Sequence, residues 1–277
     1  MHGLTVIGFI GSVFSPYYAW ARRRGPADPA RHCALNVALY GRHKRWAMTE
    51  RGAAGRGAGT LAIGPSAMRW DGSALTIEID EVTMPVPSRL RGVVRVYPEA
   101  INPAGFVLDA AGRHRWRPIA PCARVEVEFR QPALRWSGTG YFDTNEGDEP
   151  LEAAFIDWNW SRAPLREGAA VLYDVRRRDG SDLSLALRFG RGGGMERFAA
   201  PPVTALARTK WRVARATRAD AARVLRTLED APFYARSVLS ASLLGEQTEA
   251  VHESLSLDRF RLPVVQAMLP FRMPRRG

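Results

Sequence analysis

Stretches in which apolar and polar residues alternate make up most of the chain. The clearest lie at 75–80, 93–97, 124–129, 171–175 and 183–187. Alternation with a period of two is typical of strands that bury one face. Turn residues at 71–72, 109–112 and 179–180 separate such stretches and predict hairpins. Many short, evenly spaced strands favour a barrel or a sandwich, so the sequence predicts a mainly β fold.

The pattern changes towards the C-terminus. Thr217 is typical of a helix N-cap, and the apolar residues after it fall at helical spacing, at 221, 224, 225 and 228. A second apolar stretch, 233–244, ends at Gly245, as helices often do. The sequence therefore predicts a helical C-terminal part, with one helix from Thr217 to about residue 228 and another over 233–244.

Two further segments bear on membranes. Residues 260–273 are apolar and are interspersed with or flanked by arginines, which is typical of an interfacial segment and equally of a tail that packs on the core. Residues 3–21 carry no charge, but their serines, proline, glycines and tyrosines are too polar for a firm membrane span. The charged region that opens a signal peptide is missing. We therefore expect a cytoplasmic protein, in peripheral contact with a membrane at most.

The chain is strongly basic, with 40 Lys and Arg against 28 Asp and Glu and a formal net charge of +12. A basic surface attracts polyanions, either nucleic acid or an anionic membrane. Proteins that read nucleic acid concentrate their charge on one stripe or helix. The arginines here are scattered, which favours a membrane. Cys33 and Cys122 are the only cysteines and are predicted to be unpaired, buried thiols.

Motifs for the common cofactors are missing from the sequence. There is no Walker A lysine, no GxSxG turn and no HExxH helix. The five histidines, at 2, 32, 43, 114 and 252, are not spaced like zinc ligands beside acids. We therefore expect neither a metal nor a cofactor.

Aromatic residues flank acids in two segments, 135–143 and 155–160. On strands, residues two apart share a face, which groups Tyr141 with Asp143 and His114 with Trp116. By the same rule Asp157 shares a face with Asn159, while Trp158 and Trp160 share the other face. Each residue also has a simpler interpretation: Asp143 as a turn residue, His114 as a surface histidine and the aromatic residues as core packing.

Several long motifs resemble the carotenoid 1,2-hydratase family, also called hydroxyneurosporene synthases, and they run nearly from end to end. They lie at 9–18, 32–41, 46–52, 138–147, 150–152, 158–162, 252–260 and 268–275. The resemblance implies a lipocalin-like architecture of two tandem barrel-like units. We place these at 1–162 and 163–277, with a boundary near 161–164 and a second unit that looks short for a complete barrel.

The resemblance also implies a site. In the family an HxW pair and a YxD pair are implicated in catalysis, and here they fall on His114 and Trp116 and on Tyr141 and Asp143. The implied reaction is that of a hydro-lyase, which adds water to the terminal double bond of an acyclic carotenoid such as neurosporene or lycopene. The family belongs to bacterial carotenoid biosynthesis, so the expected location is the cytoplasmic face of the photosynthetic inner membrane.

Protonating an alkene needs a strong, positioned acid, and a carboxylic acid kept neutral by burial suits that task. Asp143 is the predicted donor. Trp116 and Tyr141 are predicted to stabilise the cation, and His114 to orient water or accept its proton. The predicted substrate-binding residues are aromatic or lie between aromatic residues: Trp136, Trp158, Trp160 and Asp157, the last of which is also the reserve acid.

Other functions stay open at this point. A lipocalin-type carrier for a carotenoid or another isoprenoid needs the pocket but no proton donor. An isoprenoid cyclase needs the donor but no water, and a basic β protein could bind nucleic acid. The expected partners of a hydratase are the acyclic carotenoid, the anionic membrane and other enzymes of the carotenoid pathway, with no nucleic acid.

Overall fold

The fold is described from a computed structural model, which covers residues 2–276. Strands dominate it, as the alternating pattern predicts. The first eleven strands are β1 Gly3–Ile10, β2 Cys33–Tyr40, β3 Arg45–Arg51, β4 Ala54–Gly57, β5 Thr60–Ile63, β6 Ser66–Trp70, β7 Leu75–Val82, β8 Arg89–Pro98, β9 Phe106–Val107, β10 His114–Gln131 and β11 Ala133–Gly147.

The second half continues in the same way. Its strands are β12 Phe155–Leu165, β13 Gly168–Arg177, β14 Asp182–Gly190, β15 Met195–Arg197, β16 Val203–Leu206, β17 Arg215–Arg218, β18 Ala221–Asp230, β19 Tyr234–Leu243, β20 Glu246–Ser256 and β21 Arg275–Arg276. The helices are α1 Pro16–Arg24, α2 Leu151–Ala154, α3 Leu257–Phe260 and α4 Pro263–Arg272, with a 3-10 turn at Pro29–Arg31.

The strands form antiparallel sheets with simple neighbour relations. One sheet has the order β1-β2-β3-β21, in which β21 runs parallel to β3, and a larger one has the order β11-β10-β8-β7-β6-β5-β4 with β9 beside β10. A third has the order β15-β14-β13-β12-β20-β19-β18, and β16 pairs with β17.

The five predicted strands fall within β7, β8, β10, β13 and β14, and the three predicted turns join or precede paired strands, so these predictions are confirmed.

The chain divides into two compact units. One contains the described residues up to Pro98, Arg124–Gly140 and those from Gln266 onward, and the other contains Glu99–Ala123 and Tyr141–Val265. Both units are discontinuous in sequence. The boundary predicted between residues 162 and 163 lies inside β12, which belongs wholly to the second unit.

The predicted helices at 217–228 and 233–244 are wrong, because both segments are strands. In β18 the pairing with β19 shifts between Val224 and Arg226 and again between Thr227 and Glu229. Each such bulge inserts a residue, so the apolar positions lose their period of two and resemble helical spacing. In β19 both faces are largely buried, which removes the alternation altogether.

The helical C-terminal segment is present, but it begins later, at α3 and α4. Ser256 caps α3 by accepting a hydrogen bond from the backbone N–H of Arg259. None of the helices within residues 2–276 is long and apolar enough to cross a membrane. The prediction for the cysteines is confirmed, because Cys33 and Cys122 are both free and buried.

Candidate active site

β10 and β11 carry the candidate residues, in the parts of both strands that belong to the second unit. β10 starts directly after the 109–112 turn, where the backbone N–H of His114 donates to Asp109 Oδ1 at 2.6 Å. Alternation then places His114 and Trp116 together on the buried face, and each is only 1% exposed. On β11, Tyr141 and Asp143 share a face and are half-buried. Asp143 is therefore a strand residue and not part of a turn.

The carboxylate of Asp143 joins the two strands through one of its oxygens. Trp116 Nε1 donates to Asp143 Oδ2 at 2.8 Å, and the Tyr141 hydroxyl donates to the same oxygen at 2.9 Å. Both donors are neutral. The other oxygen, Oδ1, accepts no hydrogen bond within the described part of the chain. Oδ2 is thus occupied by hydrogen bonds from the protein, and Oδ1 is the oxygen that can carry and release a proton.

The surroundings of Asp143 favour its acid form. Desolvation raises the pKa of Asp143 to about 6, although the hydrogen bonds from Trp116 and Tyr141 act to lower it. With this pKa, roughly one molecule in ten carries the proton at pH 7. Burial raises the pKa of Tyr141 well above its usual range, so its hydroxyl remains a donor.

Aromatic rings pack around the two donors to this carboxylate. Tyr141 lies 5.1 Å from Trp160 between ring centroids, and Trp116 meets Tyr173 edge-on at 5.3 Å. Tyr173 also forms a T-shaped contact with Trp158, with 6.1 Å between the ring centroids. Ring faces carry negative potential and hold no reactive nucleophile. The surroundings of Asp143 can therefore stabilise a cation without trapping it.

His114 is packed rather than exposed. Its ring lies 4.7 Å from Phe155, and a Cβ on Gly147 would approach its Nδ1 to 2.8 Å. Neither ring nitrogen has a hydrogen-bond partner among residues 2–276, and Glu149 Oε1 is 3.8 Å from Nε2. Burial lowers the pKa of His114, which favours the neutral ring. The interpretation of His114 as a surface histidine is wrong.

The remaining predicted residues fall into two groups. Trp158 and Trp160 reach the aromatic cluster, as described above. Asp157 lies on the opposite face of β12 and forms an ion pair with Arg176. Trp136 belongs to the first unit, where it stacks on His2 at 5.2 Å and on Phe129 at 6.5 Å.

The sequence did not single out Tyr173 as a site residue. It lies in a correctly predicted strand, but it meets the site only because β13 pairs with β12 so that Tyr173 stands opposite Trp160. Pairing register between strands is not encoded in any local motif. Among the described residues, no group of three or more His, Cys, Asp or Glu side chains is placed to hold a metal ion.

The arrangement suits one type of chemistry. A carboxyl group with a raised pKa can give a proton from Oδ1, and aromatic faces can stabilise the resulting cation. The neutral donors on Oδ2 keep the carboxyl in place before and after the transfer.

Sequence comparisons place the whole chain in one family. The family model described as carotenoid hydratase CrtC matches residues 6–277. The acyclic carotenoid 1,2-hydratase of Thiocapsa roseopersicina is 60% identical over 100% of this chain and 70% of its own length. That of Rubrivivax gelatinosus is 52% identical with the same coverage, and that of Cereibacter sphaeroides is 44% identical over 98% of each chain.

Solved structures similar to this one confirm the fold class. Kievitone hydratase from Nectria haematococca has a TM-score of 0.60 at 10% identity and covers 83% of this chain and 82% of its own. CghA, solved with Sch210972, has a TM-score of 0.55 at 12% identity and covers 81% of this chain and 79% of its own. The fold is mainly β and lipocalin-like, as the resemblance implied.

Proposed function

Because the chain belongs to the carotenoid hydratase family, we propose that it adds water to the terminal C1–C2 double bond of an acyclic carotenoid, giving the 1-hydroxy carotenoid. The observation that carries this proposal is the carboxyl of Asp143, held through one oxygen by two neutral aromatic donors on which further aromatic rings pack. That is the arrangement a protonating enzyme needs, and a carrier has no use for it.

The reaction starts with proton transfer. Asp143 gives the proton on Oδ1 to C2 of the carotenoid, and the double bond's electrons form the new C–H bond. A tertiary cation remains at C1, and the carboxylate that forms is stabilised by the hydrogen bonds from Trp116 and Tyr141. These two donors lower the energy of the charged carboxylate at the moment at which it appears.

The cation is then stabilised until water arrives. Each well-placed aromatic ring contributes about 0.5 to 2 kcal/mol to a nearby cation. Trp158, Trp160 and Tyr173 supply such rings on the sheet face beside Asp143. Water adds to C1 and loses a proton, which gives a tertiary alcohol. The reaction changes no oxidation state overall, so it calls on no electron-transfer cofactor.

The direct test is incubation of the purified protein with lycopene or neurosporene in detergent, without added cofactor, in water enriched in oxygen-18. We expect a product heavier by one labelled water. A product of unchanged mass would indicate a cyclase, and retention of unchanged pigment would indicate a carrier. In either case the hydratase proposal would be rejected.

Contact with a membrane is a second part of the proposal, since the substrate is a lipid-soluble polyene. α4 exposes Val264, Met268 and Phe271, which are spaced so that they share one helix face, and Phe271 is 75% exposed. Arginines at 259, 261 and 272 flank this face. Apolar residues beside cations are typical of helices that lie in an anionic lipid surface. The expected site is the cytoplasmic face of the photosynthetic membrane.

Vesicle sedimentation tests this contact with the full chain. Replacing Val264, Met268 and Phe271 together by Ser should release the protein from vesicles of anionic lipid. Val86→Ser is the matched control, because Val86 is 77% exposed but lies outside α4. Equal sedimentation of the triple variant and the control would reject α4 as the contact, without affecting the proposed reaction.

A further inference from the structure

A second carboxylate lies close to the site and has a different kind of partner. Glu253 on β20 accepts from Arg236 on β19 through Oε1, at 2.9 Å from Nε and 2.6 Å from Nη2. Arg236 is only 4% exposed and also donates to Glu229 at 2.7 Å. The Glu253 side chain is 24% exposed, and its Oε2 accepts no hydrogen bond within residues 2–276.

Strand register brings Glu253 to the same sheet face as the aromatic cluster. Trp160 stands opposite Glu253 in the pairing of β12 with β20 and opposite Tyr173 in the pairing of β12 with β13. Directly paired residues point to the same face, so these three side chains form a row across three strands. Trp160 in turn contacts Tyr141, whose hydroxyl bonds Asp143. The negative charge of Glu253 also acts to raise the pKa of Asp143, which agrees with this proximity.

We propose that Glu253 is the general base that removes the proton from the attacking water. This inference rests on the proposed hydration. The two carboxylates have opposite environments: neutral donors hold Asp143, whereas a buried guanidinium holds Glu253 in an ion pair. Neighbouring carboxylates in contrasting environments commonly divide acid and base roles between them. The free Oε2 is the atom that receives the proton.

The step balances. Asp143 Oδ1 loses its proton to C2, and the oxygen of water forms a bond to C1. Glu253 Oε2 takes one proton from that water, and a tertiary alcohol remains. Return of the proton from Glu253 to Asp143 through solvent restores the enzyme, so the sum is alkene plus water.

The sequence predicts that His114 orients the water or accepts its proton, but His114 is less suitable as the base. A general base must reach the water within hydrogen-bonding distance or through one further water. His114 is 1% exposed and is packed against Phe155, whereas Glu253 keeps an accessible oxygen. The structure therefore favours a packing role for His114 and the basic role for Glu253.

Deuterium oxide separates the two carboxylates experimentally. In Glu253→Gln the amide oxygen still accepts from Arg236, and Asp143 can still protonate C2. We expect hydration to fall by about 100- to 1000-fold. The cation then returns to alkene by losing a proton to the Asp143 carboxylate. Loss from a methyl group on C1 leaves the added deuterium at C2, so unhydrated carotenoid should still gain deuterium. Asp143→Asn should abolish both hydration and deuterium incorporation. Glu249→Gln is the matched control, since Glu249 is an exposed glutamate of the same strand.

Two results obtained with Glu253→Gln would overturn the inference. One is hydration by Glu253→Gln at the rate of the wild type. The other is a folded Glu253→Gln protein that loses deuterium incorporation as well as hydration. A base that acts only on the attacking water is not needed for proton transfer from Asp143, so that transfer should survive its removal. If the wild type forms no hydrated product, the proposed function itself fails, which is a distinct outcome.

Glu253→Asp keeps the charge and the pairing with Arg236 and guards against a folding defect in the glutamine variant. It should hydrate at a rate between those of the wild type and Glu253→Gln. Equal hydration by the aspartate and glutamine variants would show that the charge is irrelevant and would overturn the role of Glu253.

Discussion

Asp143 and Asp157 make an instructive pair, because both lie on strands among aromatic residues and both were candidates for the acid. Asp143 accepts hydrogen bonds from an indole and a phenol, and desolvation is the largest influence on its pKa, which it raises. Asp157 lies on the other face of its strand in an ion pair with Arg176, and its side chain is 26% exposed. The hydrogen-bonding partners of the two carboxylates, more than their aromatic neighbours in sequence, distinguish Asp143 from Asp157.

The largest difference between Asp143 and Asp157 should appear in the rate of hydration when each carboxyl group is replaced by an amide. Asp143→Asn keeps an acceptor for Trp116 and Tyr141 but has no proton to give, so hydration should fall by about 1000-fold or more. Asp157→Asn should change it by less than about twofold, as expected of an exposed pair. Carotenoid product formed per minute measures both. Comparable losses in the two variants would remove the distinction drawn here.

The neutral donors around Asp143 provide the next contrast. Tyr141→Phe removes one hydrogen bond to a charged carboxylate, a loss of about 1.5 to 3 kcal/mol, and should slow hydration by roughly 10- to 100-fold. Because that bond favours the ionised form, its removal should also raise the pKa of Asp143.

The pH profile of kcat/KM for Tyr141→Phe measures this rise as a higher midpoint. Tyr173→Phe is the matched control, since it removes a hydroxyl from the same ring cluster without touching Asp143. An unchanged midpoint in Tyr141→Phe would contradict the role of its hydroxyl.

In the wild type, the rate of hydration should follow protonation of Asp143. Its pKa of about 6 predicts a rate that is highest on the acid side and falls about tenfold for each pH unit well above 6. A profile of initial rates from pH 5 to 9, with stability checked at each pH, measures this. A rate that rises through this range would show that another group limits protonation.

The smallest of these effects should be on the stability of the folded protein. Here Asp143→Asn should produce a gain, whereas it produces a loss of activity. The pKa of Asp143 is higher in the folded protein than its usual 3.8, so folding favours the proton and stability is lost as pH rises from about 4 to 6. Asp143→Asn avoids this loss and should be more stable than the wild type at pH 8 by about 1 to 3 kcal/mol.

Urea unfolding of Asp143→Asn at pH 5 and pH 8 measures this gain. For comparison, Asp157→Asn should lose at most about 1 kcal/mol of stability through its ion pair. A destabilised Asp143→Asn at pH 8 would mean that its hydrogen bonds outweigh desolvation.

Local pattern was enough for the parts of the molecule with regular alternation. It located β7, β8, β10, β13 and β14, and residue spacing of two correctly paired His114 with Trp116 and Tyr141 with Asp143. It failed where bulges break the alternation in β18 and where both faces of β19 are buried. The resemblance to known hydratases, not the pattern, indicated that His114, Trp116, Tyr141 and Asp143 form the site.

Contacts between distant strands were beyond the reach of the sequence. Tyr173 and Glu253 enter the site only through their pairing with Trp160, which depends on the register of three strands. Asp143 and Asp157 also differ through distant partners: Trp116 is 27 positions from Asp143, and Arg176 is 19 positions from Asp157. Residue spacing in the sequence cannot predict whether a carboxylate will meet a guanidinium or an indole from a distant strand.

The fixed attachment of Asp143 through Oδ2 has a stereochemical consequence. A carboxyl anchored by two donors cannot rotate freely, so Oδ1 always approaches the polyene from the same side. C2 becomes a CH2 group on hydration, and in heavy water it becomes a CHD centre. The product should therefore carry its deuterium in a single configuration at C2, and that configuration identifies the face of the double bond that Asp143 protonates.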